Sequence, residues 1–191
     1  TITGGRGTRW SWGVEGGGIF CLSAGKICHN RIVGNRIESA VAGIQASGAG
    51  IFSYHQIGTC YAILIEENDI SDNTISGQGI SQGGGIHITG GGVGLIRNNK
   101  INRNSITTSM VAGGGGINCN SQSYEIIIDS NDIRENQAIG AGPSSNGNCI
   151  GGGVNVVSAR LHFERNSVLS NSISATGTNY ALGGALCLIY V

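Results

Sequence analysis

Four carboxylates lie close together in one short segment of the chain: Glu66, Glu67, Asp69 and Asp72. Two carboxyl groups beside a glycosidic bond can act as acid and base or as nucleophile, and a larger cluster can bind calcium. His55 precedes them in a segment without a repeat counterpart, and an imidazole there could carry protons. These five residues are the candidates for catalysis. The sequence has neither the Gly-Gly-x-Gly-x-Asp calcium repeat nor the spaced His and Cys ligands of zinc sites, so no metal ligands are assigned.

Two repeated phrases define the elements that must position these residues. The phrase Asn-x-Ile-x-x-Asn-x-Ile, with Val or Ala in two of its aliphatic places, starts at Asn30, Asn68, Asn99, Asn131 and Asn166. A glycine-rich cluster followed by an aliphatic residue, most often Gly-Gly-Gly-Ile, occurs at residues 16–19, 48–51, 83–86, 114–117, 151–154 and 183–186. Successive clusters are 31–37 residues apart. A period of this length predicts a solenoid.

Each repeat contains short runs in which aliphatic residues alternate with others, such as Ile63 and Ile65 or Ile126 and Ile128. This alternation predicts short strands with one buried face. No segment shows a helical period over ten residues or more. We expect Asn and Gly to form the bends between strands, because both tolerate left-handed backbone conformations.

Together the two phrases resemble the right-handed parallel β-helix of the pectate-lyase-like superfamily, over essentially the whole chain. Phe163-Glu164-Arg165-Asn166 and Gly183-Gly184-Ala185-Leu186 also look like repeats of autotransported surface adhesins. The resemblance implies an all-β fold, a right-handed parallel β-helix of about five coils with three short parallel sheets.

The two ends of the chain also fit the repeat. Residues 1–4 match residues 74–77, and the last residues read as the first strand of a sixth coil. We therefore expect one domain over residues 1–191 that is an excerpt of a longer solenoid. Neighbouring coils of the parent chain would then be its first partners.

The alternative interpretation of the acidic cluster is structural. Three repeat positions carry charges of mostly alternating sign: Arg31, Asp69, Lys100 and Asp132; Asp72, Arg103 and Glu135; Glu66, Arg97 and Asp129. In-register stacking of parallel strands would place each acid beside a base one coil away. We favour such charge ladders over a catalytic site or a calcium site at this cluster.

Aromatic and amide side chains at one outward position are the candidates for binding. On the strand after the glycine cluster, this position holds Phe20, Phe52, His87, Asn118 and Asn155, and Tyr54 follows two residues after Phe52. Sugar rings stack on aromatic faces, and planar amides hydrogen-bond hydroxyl groups. The row predicts contact with a polysaccharide or another surface protein. The rival interpretation is that a loop or a neighbouring domain covers it.

Composition excludes some classes of partner. The net charge is zero and only 12% of residues are charged, so the chain offers nucleic acid no basic surface. No apolar run reaches the ~20 residues of a membrane helix. We expect no nucleic-acid partner, no membrane insertion and no cofactor, apart from calcium if the acidic cluster binds it.

Six cysteines permit an extracytoplasmic setting. Cys119 could pair with Cys149, or Cys28 with Cys60, if the loops fold back. Cys21 and Cys119 lie at inward positions about 14 Å apart, too far to bridge. No Asn-x-Ser/Thr acceptor occurs, which fits a prokaryotic source. The expected location is secreted or at the cell surface.

The favoured function is a non-enzymatic structural or adhesive segment of a β-helix protein, which contacts glycans or a partner along one face. The alternative is a polysaccharide-active lyase, hydrolase or epimerase of the pectate-lyase-like superfamily, or its scaffold portion. Polygalacturonase-like members carry Asn-Thr-Asp, Asp-Asp, Gly-His-Gly and Arg-Ile-Lys motifs, and none of these occurs in the chain.

Overall fold

The computed structural model describes residues 1–9, 13–55, 62–121, 125–141, 148–157, 160–176 and 180–189. Every regular element in these ranges is a β-strand. Because the described ranges contain no helix, they contain none that is long and apolar enough to cross a membrane.

The strands follow one another in coils of five, each coil starting after a glycine cluster. Before the first coil lie β1 (Thr8–Arg9) and β2 (Gly13–Glu15). The first coil contains β3 (Ile19–Cys21), β4 (Gly25–Cys28), β5 (Arg31–Val33), β6 (Arg36–Ser39) and β7 (Gln45–Ser47). The second contains β8 (Ile51–His55), β9 (Ala62–Glu66), β10 (Asp69–Ser71), β11 (Thr74–Gly77) and β12 (Ser81–Gln82). The third contains β13 (Ile86–Gly90), β14 (Val93–Arg97), β15 (Lys100–Asn102), β16 (Ser105–Thr108) and β17 (Ala112–Gly113).

The remaining coils repeat this order. The fourth contains β18 (Ile117–Ser121), β19 (Glu125–Asp129), β20 (Asp132–Arg134), β21 (Gln137–Gly140) and β22 (Cys149–Ile150). The fifth contains β23 (Val154–Val157), β24 (Arg160–Glu164), β25 (Ser167–Leu169), β26 (Ser172–Ala175) and β27 (Ala181–Leu182). β28 (Leu186–Ile189) begins the next turn.

Strands at the same place in successive coils pair in parallel, which confirms an all-β solenoid of about five coils. Five sheets result: sheet 1 (β3, β8, β13, β18, β23, β28), sheet 2 (β4, β9, β14, β19, β24), sheet 3 (β5, β10, β15, β20, β25), sheet 4 (β6, β11, β16, β21, β26) and sheet 5 (β2, β7, β12, β17, β22, β27). Among the strands in the described ranges, the one antiparallel pair is β1 with β2. The right-handed sense of the coil stays a prediction.

The expected number of three sheets is wrong for a local reason. The Asn phrase bends between its two Asn residues, so it yields two strands, in sheets 3 and 4. A further short strand precedes each glycine cluster and forms sheet 5. Sheets 1 to 3 enclose the main core, a stack of aliphatic residues such as Ile51, Ile86 and Ile117. Sheets 4 and 5 enclose a smaller core that contains Ile75 and Ala112.

The bends are formed by the residue before each Asn, and not by the Asn itself as we expected. Positive φ angles occur at His29, Glu67, Asn98, Ser130 and Arg165 before the first Asn, and at Gly34, Asp72, Arg103, Glu135 and Ser170 before the second. Most of these residues are not glycine, so the left-handed backbone costs energy at each bend. The Asn that follows each bend offsets that cost through its amide.

Those amides form two ladders along the solenoid, which the repeat predicts. In the second ladder, the Asn73 amide donates to the Asn104 carbonyl oxygen (2.9 Å), and the Asn104 amide donates to the Asn136 oxygen (3.0 Å). From the second coil onwards, each side-chain oxygen also accepts the backbone N–H of the Asn one coil before, as from Asn73 to Asn104 (3.1 Å). The ladders therefore satisfy both the side chain and the bent backbone inside the protein.

The first residues of the chain lie one strand earlier than their match to residues 74–77 predicts. That match would place Ile2 over Ile37, but Ile2 pairs with Ile32. Gly5 then takes the place of the second Asn, and its N–H donates to the Asn35 side-chain oxygen (3.0 Å). Hydrogen bonding to the Asn ladder, rather than sequence identity, decides this register.

Substituting the first glycine of a cluster tests the backbone geometry of the corner. Gly114 has a φ of +64°, and an added Cβ would lie 2.1 Å from the Ile117 carbonyl oxygen. We expect Gly114→Ala to lower the free energy of unfolding by at least about 2 kcal/mol. Gly184→Ala is the control, because a Cβ there would meet only the Asn171 oxygen at 3.9 Å. Urea unfolding followed by circular dichroism measures both, and equal midpoints for the two variants would contradict the assigned corner.

Candidate functional site

A groove runs between sheet 1 and sheet 5 on the outside of the solenoid. The left-handed glycine at each corner folds the strand before it towards the outer face of the strand after it. The outer row of sheet 1 holds Phe20, Phe52, His87, Asn118, Asn155 and Cys187. The facing row of sheet 5 holds Glu15, Ser47, Gln82, Gly113, Ile150 and Leu182. The walls meet at Gly113, where an added Cβ would lie 3.2 Å from the Asn118 side-chain oxygen.

The groove is open near the first three coils, where it encloses about 440 Å³. Its described lining residues are Glu15, Phe20, Leu22, Gln45, Phe52, Tyr54 and Thr89. This volume lies in the range of small-molecule sites, and such sites combine apolar walls with a few placed polar groups.

Stacked rings form one wall of the groove. The Phe20 and Phe52 ring centroids are 5.3 Å apart with 13° between the ring planes. The His87 ring continues the stack, 5.5 Å from Phe52 at 18°. Parallel in-register pairing produces this stack, because it places residues of equal repeat position one above another. Tyr54 and Leu22 lie at the exposed rim.

Two polar side chains face these rings from the other wall. The Glu15 side chain is buried. The Gln45 amide donates to Ser47 Oγ and to Gln82 Oε1, both at 3.1 Å, which fixes its orientation. An oriented amide opposite an apolar wall can bind a ligand that has both an apolar face and hydroxyl groups.

Beyond Phe52 the predicted binding row is covered. His87, Asn118 and Asn155 are all buried, so their predicted exposure is wrong, because sheet 5 packs over them. Phe52 is 3% exposed between the rings of Phe20 and His87, so its predicted exposure is wrong as well. The Asn118 amide donates to His87 Nδ1 (2.9 Å), and the Asn155 amide donates to Asn118 Oδ1 (2.7 Å). Burial lowers the pKa of His87 to about 3, so the ring is neutral and can accept this hydrogen bond. Of the six predicted binding residues, Phe20, Phe52 and Tyr54 line the open groove.

The acidic cluster lies elsewhere, on the outer side of sheets 2 and 3. Glu66 lies 2.7 Å from Arg97 and 3.6 Å from Lys26. The hydrogen bond from Arg97 is the largest cause of the lowered pKa of Glu66, and burial opposes it. Asp72 accepts two hydrogen bonds of 2.8 Å from Arg103. These contacts confirm the predicted charge ladder at both positions.

The other candidates for catalysis either pair with a basic side chain or lie away from the acidic cluster. Asp69 lies 3.7 Å from Arg31, and Glu67 lies 2.9 Å from His29. His55 does not join them, because it is buried on the inner side of sheet 1, where its Nε2 is 3.2 Å from Ser53 Oγ. Burial lowers the pKa of His55. Within the described ranges, no three His, Cys, Asp or Glu side chains form a metal-binding group.

The cysteines in the described ranges are free thiols. A Cys119–Cys149 bridge is excluded because Cys119 lies in the main core and Cys149 in the smaller one. Cys28 is also free, and Cys60 lies outside the described residues. Burial raises the pKa of Cys119 to about 12, so this thiol packs as an apolar group.

Four groove residues were not predicted: Glu15, Leu22, Gln45 and Thr89. A signal for Glu15 exists, since it directly precedes a glycine cluster and its repeat position is the one that faces the outer row of sheet 1. Predicting Glu15 as a groove residue requires knowing that the glycine corner bends outwards. The repeat period alone does not give the direction of that bend.

The parallel β-solenoid is the part of the sequence resemblance that the structure shows. Membership of the pectate-lyase-like superfamily and kinship with surface adhesins stay predictions. No family model, no curated protein and no solved structure matches this chain.

Proposed function

We propose that this chain is a non-catalytic segment of a secreted or cell-surface β-solenoid protein, and that it binds saccharide in the groove between sheets 1 and 5. One observation carries the proposal. A groove of about 440 Å³ combines exposed apolar and aromatic side chains, Leu22 and Tyr54, with the oriented amide of Gln45 on its other wall. A pyranose ring has a C–H face that packs on an aromatic ring and hydroxyl groups that hydrogen-bond carboxylates and amides.

The carboxylates favour binding over cleavage. Glycosidases need two carboxyl groups roughly 5–9.5 Å apart across the bond they cleave. Among the described residues that line the groove, Glu15 is the single carboxylate. Glu66, Asp69 and Asp72 lie on other sheets and pair with Lys or Arg side chains. The hydrogen bond from Arg97 lowers the pKa of Glu66, so this carboxyl group is a poor proton donor near neutral pH.

A stiff scaffold is consistent with a structural or adhesive role. Two Asn ladders and the charge ladders link each coil to the next. Contacts of this kind hold a rod together through neighbours alone. A rod that carries one saccharide groove could present that groove away from an anchoring surface.

Glycan binding by matched variants tests the proposal. We expect the protein to bind members of a glycan array without releasing reducing ends or unsaturated products. Gln45→Ala removes one oriented hydrogen-bonding group and is expected to weaken binding roughly threefold to tenfold. Gln78→Ala, an exposed glutamine outside the groove, is the control and should leave binding unchanged.

Two results would contradict the proposal. The first is the absence of binding to every glycan on the array. The second is turnover of a polysaccharide, with or without calcium, that is lost in Glu66→Gln or Asp69→Asn. The second result would instead support the alternative that this chain belongs to a polysaccharide-active enzyme.

A further inference from the structure

We infer that the groove recognises a saccharide hydroxyl group that donates a hydrogen bond to Gln45 Oε1, and that Gln82 positions this acceptor. Both roles rest on the proposed saccharide binding and specify the class of sugar that is bound. The observation behind them is the pair of hydrogen bonds that fixes the Gln45 amide on the sheet 5 wall of the groove.

The two hydrogen bonds occupy one end of the amide completely. A glutamine side chain has two N–H donors and one oxygen that can accept two hydrogen bonds. The Gln45 nitrogen donates to Ser47 Oγ and to Gln82 Oε1, both at 3.1 Å. Both N–H groups are therefore used within the protein. Because Gln45 lines the groove, the group that it offers to a ligand is its oxygen.

The partners of this amide hold it in one orientation. Ser47 is buried, and it pairs with Gln82 at the same repeat position one coil further along sheet 5. Gln45 lies two residues before Ser47 on β7, so the three side chains share one face of the sheet. Turning the amide over would set its oxygen against the Gln82 oxygen and lose that bond. The acceptor is therefore preorganised before a ligand binds.

A fixed acceptor discriminates among sugars by what the facing group can donate. A hydroxyl group can donate, whereas an ether oxygen, a fluorine atom or a carboxylate can only accept. A carboxylate would also set a negative charge against the Gln45 oxygen. The exposed Leu22 and Tyr54 side chains on the other wall can pack against the C–H face of the same sugar. The expected ligands are sugars with a free hydroxyl at this position, and not their uronic acid or ether counterparts.

Analogues of one bound sugar test the direction of the hydrogen bond. For a glycan that binds on the array, each hydroxyl group is replaced in turn by hydrogen or by fluorine, and affinities are measured by isothermal titration calorimetry. Both replacements remove the donor, but fluorine keeps a weak acceptor. We expect one position at which both replacements weaken binding alike, roughly threefold to tenfold. In Gln45→Ala, the parent sugar and these two analogues should bind equally.

Gln82→Leu tests the positioning role. This variant removes the acceptor that holds one N–H group of Gln45, so the amide can turn and donate to the ligand. At the recognised position, the fluorinated sugar should then bind at least about twofold more tightly than the deoxy sugar, whereas the native protein binds the two alike. A merely structural effect would weaken both analogues equally and leave their ratio unchanged, and that result would overturn the positioning role. Gln78→Ala is the control and should keep the native ratio.

The remaining outcomes separate this inference from the proposed function. If the fluorinated sugar bound the native protein as tightly as the parent and only the deoxy sugar lost affinity, Gln45 would be a donor. Hydroxyl recognition by its oxygen would then be overturned, while saccharide binding would stand. A uronic acid that bound as tightly as its neutral counterpart, or analogue losses that persisted in Gln45→Ala, would overturn it as well. No binding to any glycan would overturn the proposed function itself.

Discussion

Replacing Asn104 with alanine is expected to lower the free energy of unfolding by about 4 kcal/mol or more. Asn104 is buried and its side chain makes four hydrogen bonds. Its oxygen accepts from the backbone N–H and the amide of Asn73, at 3.1 and 2.9 Å. Its amide donates to the Ile70 carbonyl at 2.8 Å and to the Asn136 oxygen at 3.0 Å. Alanine would leave all four partners without this acceptor or donor inside the solenoid.

The loss of stability in Asn104→Ala comes from buried polar groups that no longer have a hydrogen-bond partner. Each costs about 1–3 kcal/mol, and the methyl group of alanine leaves a polar space that one water could partly fill. The loss is large because the ladder holds a bend whose preceding residue, Arg103, has a φ of +53°. Without the amide, that left-handed conformation has less to offset its own cost.

Asn102→Ala is the matched control. Asn102 lies two residues earlier on the outer face, is half-buried, and accepts one hydrogen bond of 3.2 Å from the Arg134 N–H. We expect a change under about 1 kcal/mol there. Urea unfolding followed by circular dichroism compares the two variants. If the two variants shifted the unfolding midpoint equally, the Asn ladder would not be the main stabilising interaction between coils.

The ladders and the coil count could be predicted from the sequence because they depend on contacts that recur at a fixed spacing. A residue such as Asn73 meets its equivalents, Asn35 and Asn104, one coil away on each side. The period then gives both the neighbour and its chemistry. The charge ladder was predictable for the same reason, since Asp72 and Arg103 share one repeat position.

The groove could not be predicted from the period because it depends on the direction of one bend. Alternation along β13 correctly places Ile86 inside and His87 outside. Whether the outside is solvent or another sheet depends on how the left-handed glycine, Gly83, orients the preceding strand. The same corner recurs at Gly16, whose φ is +62° against +63° at Gly83, yet His87 is buried and Phe20 is half-buried beside the groove, so the side chains on the facing wall also decide how far the row is covered. Identical repeat positions therefore have different environments at the two ends of the row.

The buried His87 predicts a marked dependence of stability on acid. Its pKa is about 3 in the folded protein because burial disfavours the imidazolium, against 6.5 for an ordinary histidine. Between these two values the unfolded chain binds a proton that the folded protein does not. Stability is therefore fully present above about pH 6.5 and falls as the pH is lowered towards 3. Each pH unit in this window removes about 1.4 kcal/mol, or roughly 3 kcal/mol between pH 7 and pH 4.

His87→Asn isolates this contribution, because it continues the amide row formed by Asn118 and Asn155 and cannot titrate. The variant loses the ring stack with Phe52, so it should be less stable at pH 7. Carboxylates with lowered pKa values, such as Glu66, also destabilise the fold in acid, but they do so equally in both proteins. We expect urea unfolding at pH 7, 5.5 and 4 to show a loss roughly 3 kcal/mol smaller in the variant. Parallel losses would show that His87 becomes protonated within the folded protein, and hence that sheet 5 opens from sheet 1 more easily than its packing indicates.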